Sequence, residues 1–142
     1  DSENAMVIPS LVNKAVNSKD KTFSVWGDGR AQRDFIHALD VARGMVYVVE
    51  NEVTEPINLG SGEAVSIKSI AEVIAKETGT KISWDTSKPV GDSKRLFDMT
   101  KAKSYGFECE ISIEDGIKDV ISWYIENKSL SENRYNSFKE KK

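Results

Sequence analysis

Cysteine and histidine are almost missing from this sequence: Cys109 and His37 are the single representatives of each among 142 residues. One cysteine excludes an internal disulfide framework and fits a reducing, cytoplasmic setting. One of each leaves a structural zinc site nearly without ligands, so no metal site is expected. A lone histidine gives little scope for a hydrolytic triad, and no Gly-x-Ser-x-Gly elbow occurs. Positive charge is not in excess either. Twenty Lys and Arg against 23 Asp and Glu give a formal net charge of −3, which argues against non-specific nucleic-acid binding, a task that wants a strongly basic face. No apolar run approaches the length that spans a bilayer, and nothing at the start resembles a signal peptide. Neither nucleic acid nor membrane is therefore expected as a partner.

Glycines are present but not in the pattern a dinucleotide needs. That fingerprint is G-x-G-x-x-G between a strand and a helix. Gly27 and Gly29 require a third glycine at position 32, which is Gln32; Gly60 and Gly62 require one at 65, which is Val65. A phosphate loop of the G-x-x-x-x-G-K-S/T kind is also absent. No cofactor site is expected in this chain. Tyr124 with Lys128, and Tyr135 with Lys139, have the four-residue spacing by which a lysine lowers a tyrosine's pKa for proton exchange with an alcohol. Tyr124, however, falls on the apolar face of the last helix, and Tyr135 lies in a polar tail. Core packing and chance are the better readings, and no catalytic residue is expected.

What is there has the size of one domain, with 39% apolar and 30% charged residues. The chain begins at Asp1 rather than Met and reaches an apolar helix-like run within a few positions, so it is expected to be a piece of something longer. Ile8, Leu11, Val12, Ala15 and Val16 recur at helical spacing, with Pro9 near the start, where its missing N–H costs nothing. A short strand is expected at 23–25, a tight turn at Gly27-Asp28-Gly29, and a second strand at 33–37. A helix follows from Leu39 to about Glu50, with Asp40 in its first turn, where a carboxylate suits the helix dipole. A strand is expected at 56–59. Ser66 caps a helix that Gly79 stops. KISWD (Lys81–Asp85) alternates as a half-buried strand, 94–97 reads as extended, and Asp98 or Thr100 caps a short helix ending at Gly106. Ser112-Ile113-Glu114-Asp115 resembles a capping box that opens the last helix. The fold expected is mixed α/β, with short strands and about five helices. Its organisation is one domain over 1–127 and a polar, lysine-rich tail over 128–142 that is expected to be disordered or frayed.

The stretch 25–42, VWGDGRAQRDFIHALDVA, concentrates the chemistry. It joins a glycine turn, an arginine beside an aspartate, a short apolar strand and a helix entry. Two readings stand side by side: Arg33 faces a phosphate, or it forms a solvated ion pair with Asp34 or Asp28 on a surface hairpin. His37 reads as a satisfied strand histidine rather than a proton shuttle, and Cys109 as a small buried residue rather than a nucleophile.

Seven motifs in order carry a resemblance. They are VIPSLV at 7–12, VWGDG at 25–29, RDFIHALDVARGM at 33–45, INLGSG at 57–62, SIKSIAEVI at 66–74, KPVGDSKRLFD at 88–98 and ISIEDGI at 111–117. Together they resemble the C-terminal, substrate-binding part of the extended short-chain dehydrogenases/reductases, the NAD-dependent epimerase/dehydratase family acting on nucleotide sugars. The Trp-Gly-Asp-Gly turn and the 88–98 segment look closest to the GDP-L-fucose-synthase-like branch, and UDP-sugar epimerases share the outline. One departure is Ala38-Leu39-Asp40, where many members carry two adjacent aspartates.

The resemblance implies a division of labour. The family's N-terminal part holds the Rossmann sheet, the NAD or NADP loop and the catalytic Tyr-x-x-x-Lys pair; the C-terminal part grips the nucleoside diphosphate. By motif matching, Arg33 contacts the diphosphate, and Arg95, with Lys94 as its neighbour, contacts it from the other side. Asp92 accepts from a ribose hydroxyl, while Val7, Ile8, Pro9, Trp26 and Gly27 border the base. A planar guanidinium fork suits phosphate oxygens, but two arginines so far apart in sequence serve one ligand only if folding joins their loops. The implied partners are a GDP- or UDP-linked sugar and a Rossmann half missing from this chain, without which no turnover is expected. The alternative from another class is a stand-alone, non-catalytic module that binds a nucleotide or a protein.

Overall fold

The computed structural model describes residues 6–88 and 90–128; most of the polar tail read from the sequence lies outside the described residues. The elements in order are α1 (Val7–Val16), β1 (Thr22–Trp26), β2 (Gln32–Arg33), α2 (Ala38–Glu50), β3 (Val65–Ser66), α3 (Ile67–Thr78), β4 (Lys81–Asp85), β5 (Lys94–Arg95), α4 (Thr100–Ser104) and α5 (Ile113–Glu126). The fold is mixed α/β, with the five helices and short strands the sequence announces.

Local chemistry explains the helix limits. Pro9 sits in the first turn of α1, where its N–H has no intrahelical partner to lose. In α3 the Ser66 hydroxyl accepts from Ser69 N at 3.0 Å. Gly79 closes the helix at φ +64°, and Thr80 N reaches back to the Ala75 carbonyl at 2.9 Å. In α5 the Ser112 hydroxyl accepts from Asp115 N at 3.1 Å and donates to the Asp115 carboxylate at 2.7 Å.

Two sheets organise the chain. β1 and β4 pair in parallel, Thr22 beside Lys81 through Trp26 beside Asp85. Helices α1, α3 and α5 pack on one another, with α1 also on β1 and α3 on β4. Their shared core holds Leu11, Val12, Phe23, Val25, Ile70, Ile74, Ile117 and Ile121. Fully burying each such side chain contributes about 1.5–3 kcal/mol. Tyr124 closes this core, its hydroxyl accepting from Asn17 Nδ2 at 2.8 Å, so its role is packing. The second sheet has the order β3-β2-β5, with β2 antiparallel to β3 and parallel to β5. A smaller core of Met99, Ala102 and Phe107 gathers Ile36, Tyr47, Ile57 and Leu59. Phe35 packs on the first core and Ile36 on the second, so the segment after β2 is the seam between them.

Three local expectations need correction. The strand expected at 33–37 stops at Arg33, because β5 ends at Arg95 and gives the ladder no partner beyond it. His37 is therefore not a strand residue but the N-cap of α2, its Nδ1 accepting from Leu39 N at 3.2 Å. No strand forms at 56–59; Ile57 and Leu59 pack on the smaller core while Asn58 donates to the Asp98 carbonyl at 3.0 Å. Asp40 is more than a dipole partner. It is fully buried, accepts from Glu110 N at 3.3 Å and Ile111 N at 3.1 Å, and pairs with Arg43 at 2.9 Å. Arg43 also pairs with the Glu110 carboxylate.

Candidate functional site

The two arginines singled out from the sequence are register partners: Arg33 of β2 lies directly beside Arg95 of β5. Neighbouring strands run about 4.8 Å apart, and side chains of directly paired residues leave on the same face. Folding thus joins two guanidinium groups that are 62 positions apart in the chain (95 − 33). Strand alternation sends Lys94 to the opposite face, beside Gln32, so Lys94 does not share the arginines' side of the ladder.

The loop between β4 and β5 is tied to both arginines through Asp92. Arg33 Nη1 donates to the Asp92 carbonyl and to the Gln32 carbonyl, each at 2.7 Å. Arg95 Nε and Nη2 donate to Asp92 Oδ2 at 3.0 and 2.5 Å. The Arg95 hydrogen bond, then the Arg95 charge and that of Arg33, hold the Asp92 carboxyl below its usual range. Gly91 sits against Arg33, a Cβ there falling 3.3 Å from Nη2. Neither sequence-stated ion pair forms. Asp28 pairs with Arg30, and Asp34 binds Ser61, Gly62 and Phe97 backbone groups instead. Arg33 carries its charge into a cluster with Arg95 and one carboxylate, Asp92.

Trp26 and Gly27 border the same loop. Gly27 turns at φ +78° and donates its N–H to the Asp85 carbonyl at 2.8 Å, with Val90 so close that a Cβ on Gly27 would lie 3.0 Å from its Cγ2. The Trp26 ring is 59% exposed and has Lys14 Nζ at 5.8 Å and Lys88 Nζ at 5.7 Å from its centroid, cation–π range in both cases. Lys14 and Lys88 escaped the sequence reading, since nothing in their spacing announces a shared ring. Val7, Ile8 and Pro9 form the first turn of α1; Ile8 packs on the larger core, and Val7 and Pro9 are exposed. The contact of α1 with Trp26 comes from Lys14, about two turns further along, rather than from these three residues.

A recess of another character lies elsewhere among the described residues. It has a volume of about 570 Å³ and is walled by Phe35, Ser61, Met99, Phe107, Cys109 and Ile113. Its rim carries Glu63, Glu108, Glu110 and Glu114 against a single Lys103, a balance that repels an anion. Cys109 in its wall is half-buried, donates Sγ–H to the Gly60 carbonyl at 3.3 Å, and has its thiol pKa pushed up by burial and then by the Asp40 carboxylate. For an anionic ligand, charge favours the arginine face over this recess. Both glycine turns have N–H groups already engaged by the protein. Asp34 occupies the Ser61 and Gly62 N–H groups, and the Gly27 N–H is spent on Asp85. Among the described residues no group of three or more His, Cys, Asp or Glu could hold a metal ion, and no helix is long and apolar enough to cross a membrane.

The fold and the site define a mixed α/β domain that presents two arginines side by side on a short ladder. Residues 1–60 match the model of the NAD dependent epimerase/dehydratase family. Putative GDP-L-fucose synthase 2 of Arabidopsis thaliana is 36% identical over 88% of this chain and 40% of its own length. GDP-L-fucose synthase of Escherichia coli (strain K12) is 36% identical over 87% of this chain and 43% of its own length. Among solved structures, a GDP-L-fucose synthetase from Naegleria fowleri bound to NADP superposes with a TM-score of 0.82 at 27% identity, over 91% of this chain and 43% of that one. The chain is similar to this family over residues 1–60 and to GDP-L-fucose synthases over most of its own length. It spans about two fifths of the length of the curated relatives it matches.

Proposed function

We propose that this chain binds the nucleoside diphosphate of a GDP-linked sugar, as the substrate-gripping part of an NAD(P)-dependent nucleotide-sugar epimerase, dehydratase or reductase. The observation that carries the reading is the pairing of Arg33 with Arg95 in one register. Two guanidinium groups leaving one face of the ladder suit the oxygens of a diphosphate, and each bond to a charged oxygen is stronger than a neutral one. Asp92 ties the loop to both arginines, by its carboxylate to Arg95 and by its carbonyl to Arg33, and Trp26 offers an exposed flat face for a base. The relatives named above are GDP-L-fucose synthases, which favours GDP over UDP.

Turnover needs groups not found among the described residues: both glycine turns have N–H groups already engaged, and Tyr124 is core. The cofactor and the proton-exchanging residues belong to a Rossmann half, and α2 is where that half docks. Leu39, Met45, Val46 and Val49 of α2 are 55–77% exposed, a one-sided apolar surface that water-facing helices avoid. Hydride transfer is then the cofactor's chemistry, with the remote nucleotide holding the sugar in place for it. The working compartment is the cytoplasm, where one unpaired cysteine stays reduced.

Calorimetric titration with GDP and UDP tests the site. GDP is expected to bind more tightly than UDP, and Arg33→Ala or Arg95→Ala to lower GDP affinity about 10-fold or more, since a hydrogen bond to a charged group is worth about 1.5–3 kcal/mol. Unchanged binding in both variants rejects the phosphate assignment.

A further inference from the structure

We infer that Asp34 is a positioning residue for the arginine pair, an inference that rests on the nucleotide reading above. Its backbone N–H donates to the Arg95 carbonyl at 3.0 Å. Its carboxylate accepts from Ser61 N and Ser61 Oγ, both at 2.7 Å, through Oδ1, and from Gly62 N at 3.0 Å and Phe97 N at 3.3 Å through Oδ2. A carboxylate offers about four acceptor sites, so the protein itself uses them all.

Two consequences follow from that geometry. β2, β3 and β5 are two residues each, too short for ladder bonds alone to hold a register. Asp34 supplies the missing ties, joining the end of β2 to the turn at 60–62 and to the residue two past β5. The second consequence is electrostatic. An aspartate next to Arg33 would ordinarily neutralise it or repel an incoming phosphate. Here four donors spread its charge and draw it to the 60–62 turn, so that it does not pair with Arg33.

Gly60 gives a second handle on the same junction. A Cβ at that position would lie 2.9 Å from Asp34 Oδ2 and 3.0 Å from Phe97 Cδ2, so Gly60→Ala displaces the carboxylate without removing it. Asp34→Asn, in contrast, keeps the shape and replaces an acceptor with a donor aimed at N–H groups.

The test uses the full chain with Asp34→Asn and Gly60→Ala, each followed by proton–nitrogen NMR without ligand and by titration with GDP and with guanosine. In both variants the Ser61, Gly62 and Phe97 amide and the Arg33 and Arg95 Nε–H resonances are expected to move, while amides of α3 and α5 stay. GDP affinity is expected to fall about 10-fold, the scale of one displaced charged hydrogen bond, with guanosine affinity unchanged. In a background that carries both Arg33→Ala and Arg95→Ala, Asp34→Asn should add nothing, because it acts through that pair. Wild-type GDP affinity in both variants overturns the inference. So does an equal loss for GDP and guanosine, a full Asp34 effect without the two arginines, or loss of the α3 and α5 signals in both variants, which makes Asp34 a general structural residue. If the unsubstituted chain binds no GDP, the nucleotide reading falls on its own. The arginine resonances then decide the positioning role: unmoved, they overturn it; moved, they support it.

Discussion

Asp40→Ala is the sharpest test of how the smaller half of the molecule is held. The carboxylate is 0% exposed and receives two backbone N–H groups, from Glu110 and Ile111, and the Arg43 guanidinium. Hydrogen bonds to a charged group are worth about 1.5–3 kcal/mol each. The two backbone bonds are long, at 3.3 and 3.1 Å, and belong at the low end of that range. Arg43 is 36% exposed along its side chain, so water recovers part of what its pair loses. The sum is about 3–4 kcal/mol, within the range for breaking a buried pair from one side. With a urea slope of about 1.5–2 kcal/mol per molar, the unfolding midpoint should fall by about 2 M. Arg43→Ala strands the buried carboxylate and should cost a similar amount, and Asp40→Asn, which retains volume and one acceptor, about half. Urea unfolding followed by circular dichroism measures all three. A midpoint shift below about 0.5 M for Asp40→Ala would refute the reasoning, since it would mean that water satisfies these groups as well as the protein does.

Gly79→Ala should destabilise by about 1 kcal/mol purely through backbone strain, because the site has φ +64° and open space within 4 Å; a thermal melt reads it. Ile74→Ala, at a fully buried position, should cost about 2–5 kcal/mol by chemical denaturation. The Cys109 thiol, its pKa raised by burial and the Asp40 charge, should react with a thiol-specific reagent at pH 8 more slowly than a free cysteine, and Asp40→Ala should speed that reaction. Asp92, held low chiefly by its Arg95 hydrogen bond, contributes its pairing in full above its unfolded pKa of about 4. That contribution disappears as pH falls through the lower folded value, so an acid titration followed by the Asp92 carboxyl resonance should show a depressed midpoint that Arg95→Ala restores.

Helices were legible wherever a cap chemistry stood beside a periodic face. Ser66 and Gly79 bracket α3 and Ser112 opens α5 because their side chains or backbone freedom act on immediate neighbours. β1 and β4 could be read as strands, but not as each other's partner, since parallel pairing across 59 residues (81 − 22) leaves no local trace. The strand expected at 56–59 had the right alternation of Ile57, Asn58 and Leu59 and lacked only a neighbouring ladder. For the site, Arg33 and Arg95 were legible as residues, through the charge chemistry of the 25–42 stretch and the motif resemblance, while their register was not. Asp34 was read only as a rival ion-pair partner. A turn of small residues at 60–62 with N–H groups in need of an acceptor was the available signal, and its distance in sequence hid it. Lys94 was misplaced for a simpler reason: alternation separates adjacent strand residues, whatever their charge.

The seam at Phe35 and Ile36 has a consequence for how the molecule opens. Among the described residues the smaller core has three buried members, against eleven in the larger one, so hydrogen exchange around Phe107 and α4 should occur through a local opening that leaves α1, α3 and α5 closed. The arginine ladder adjoins the seam from which that opening would start, Arg33 standing two residues before Phe35. A ligand gripped there closes it by mass action, about 2.7 kcal/mol at a hundredfold excess over Kd. Occupancy of the anion face would thus be written as slowed exchange in a region the ligand never touches.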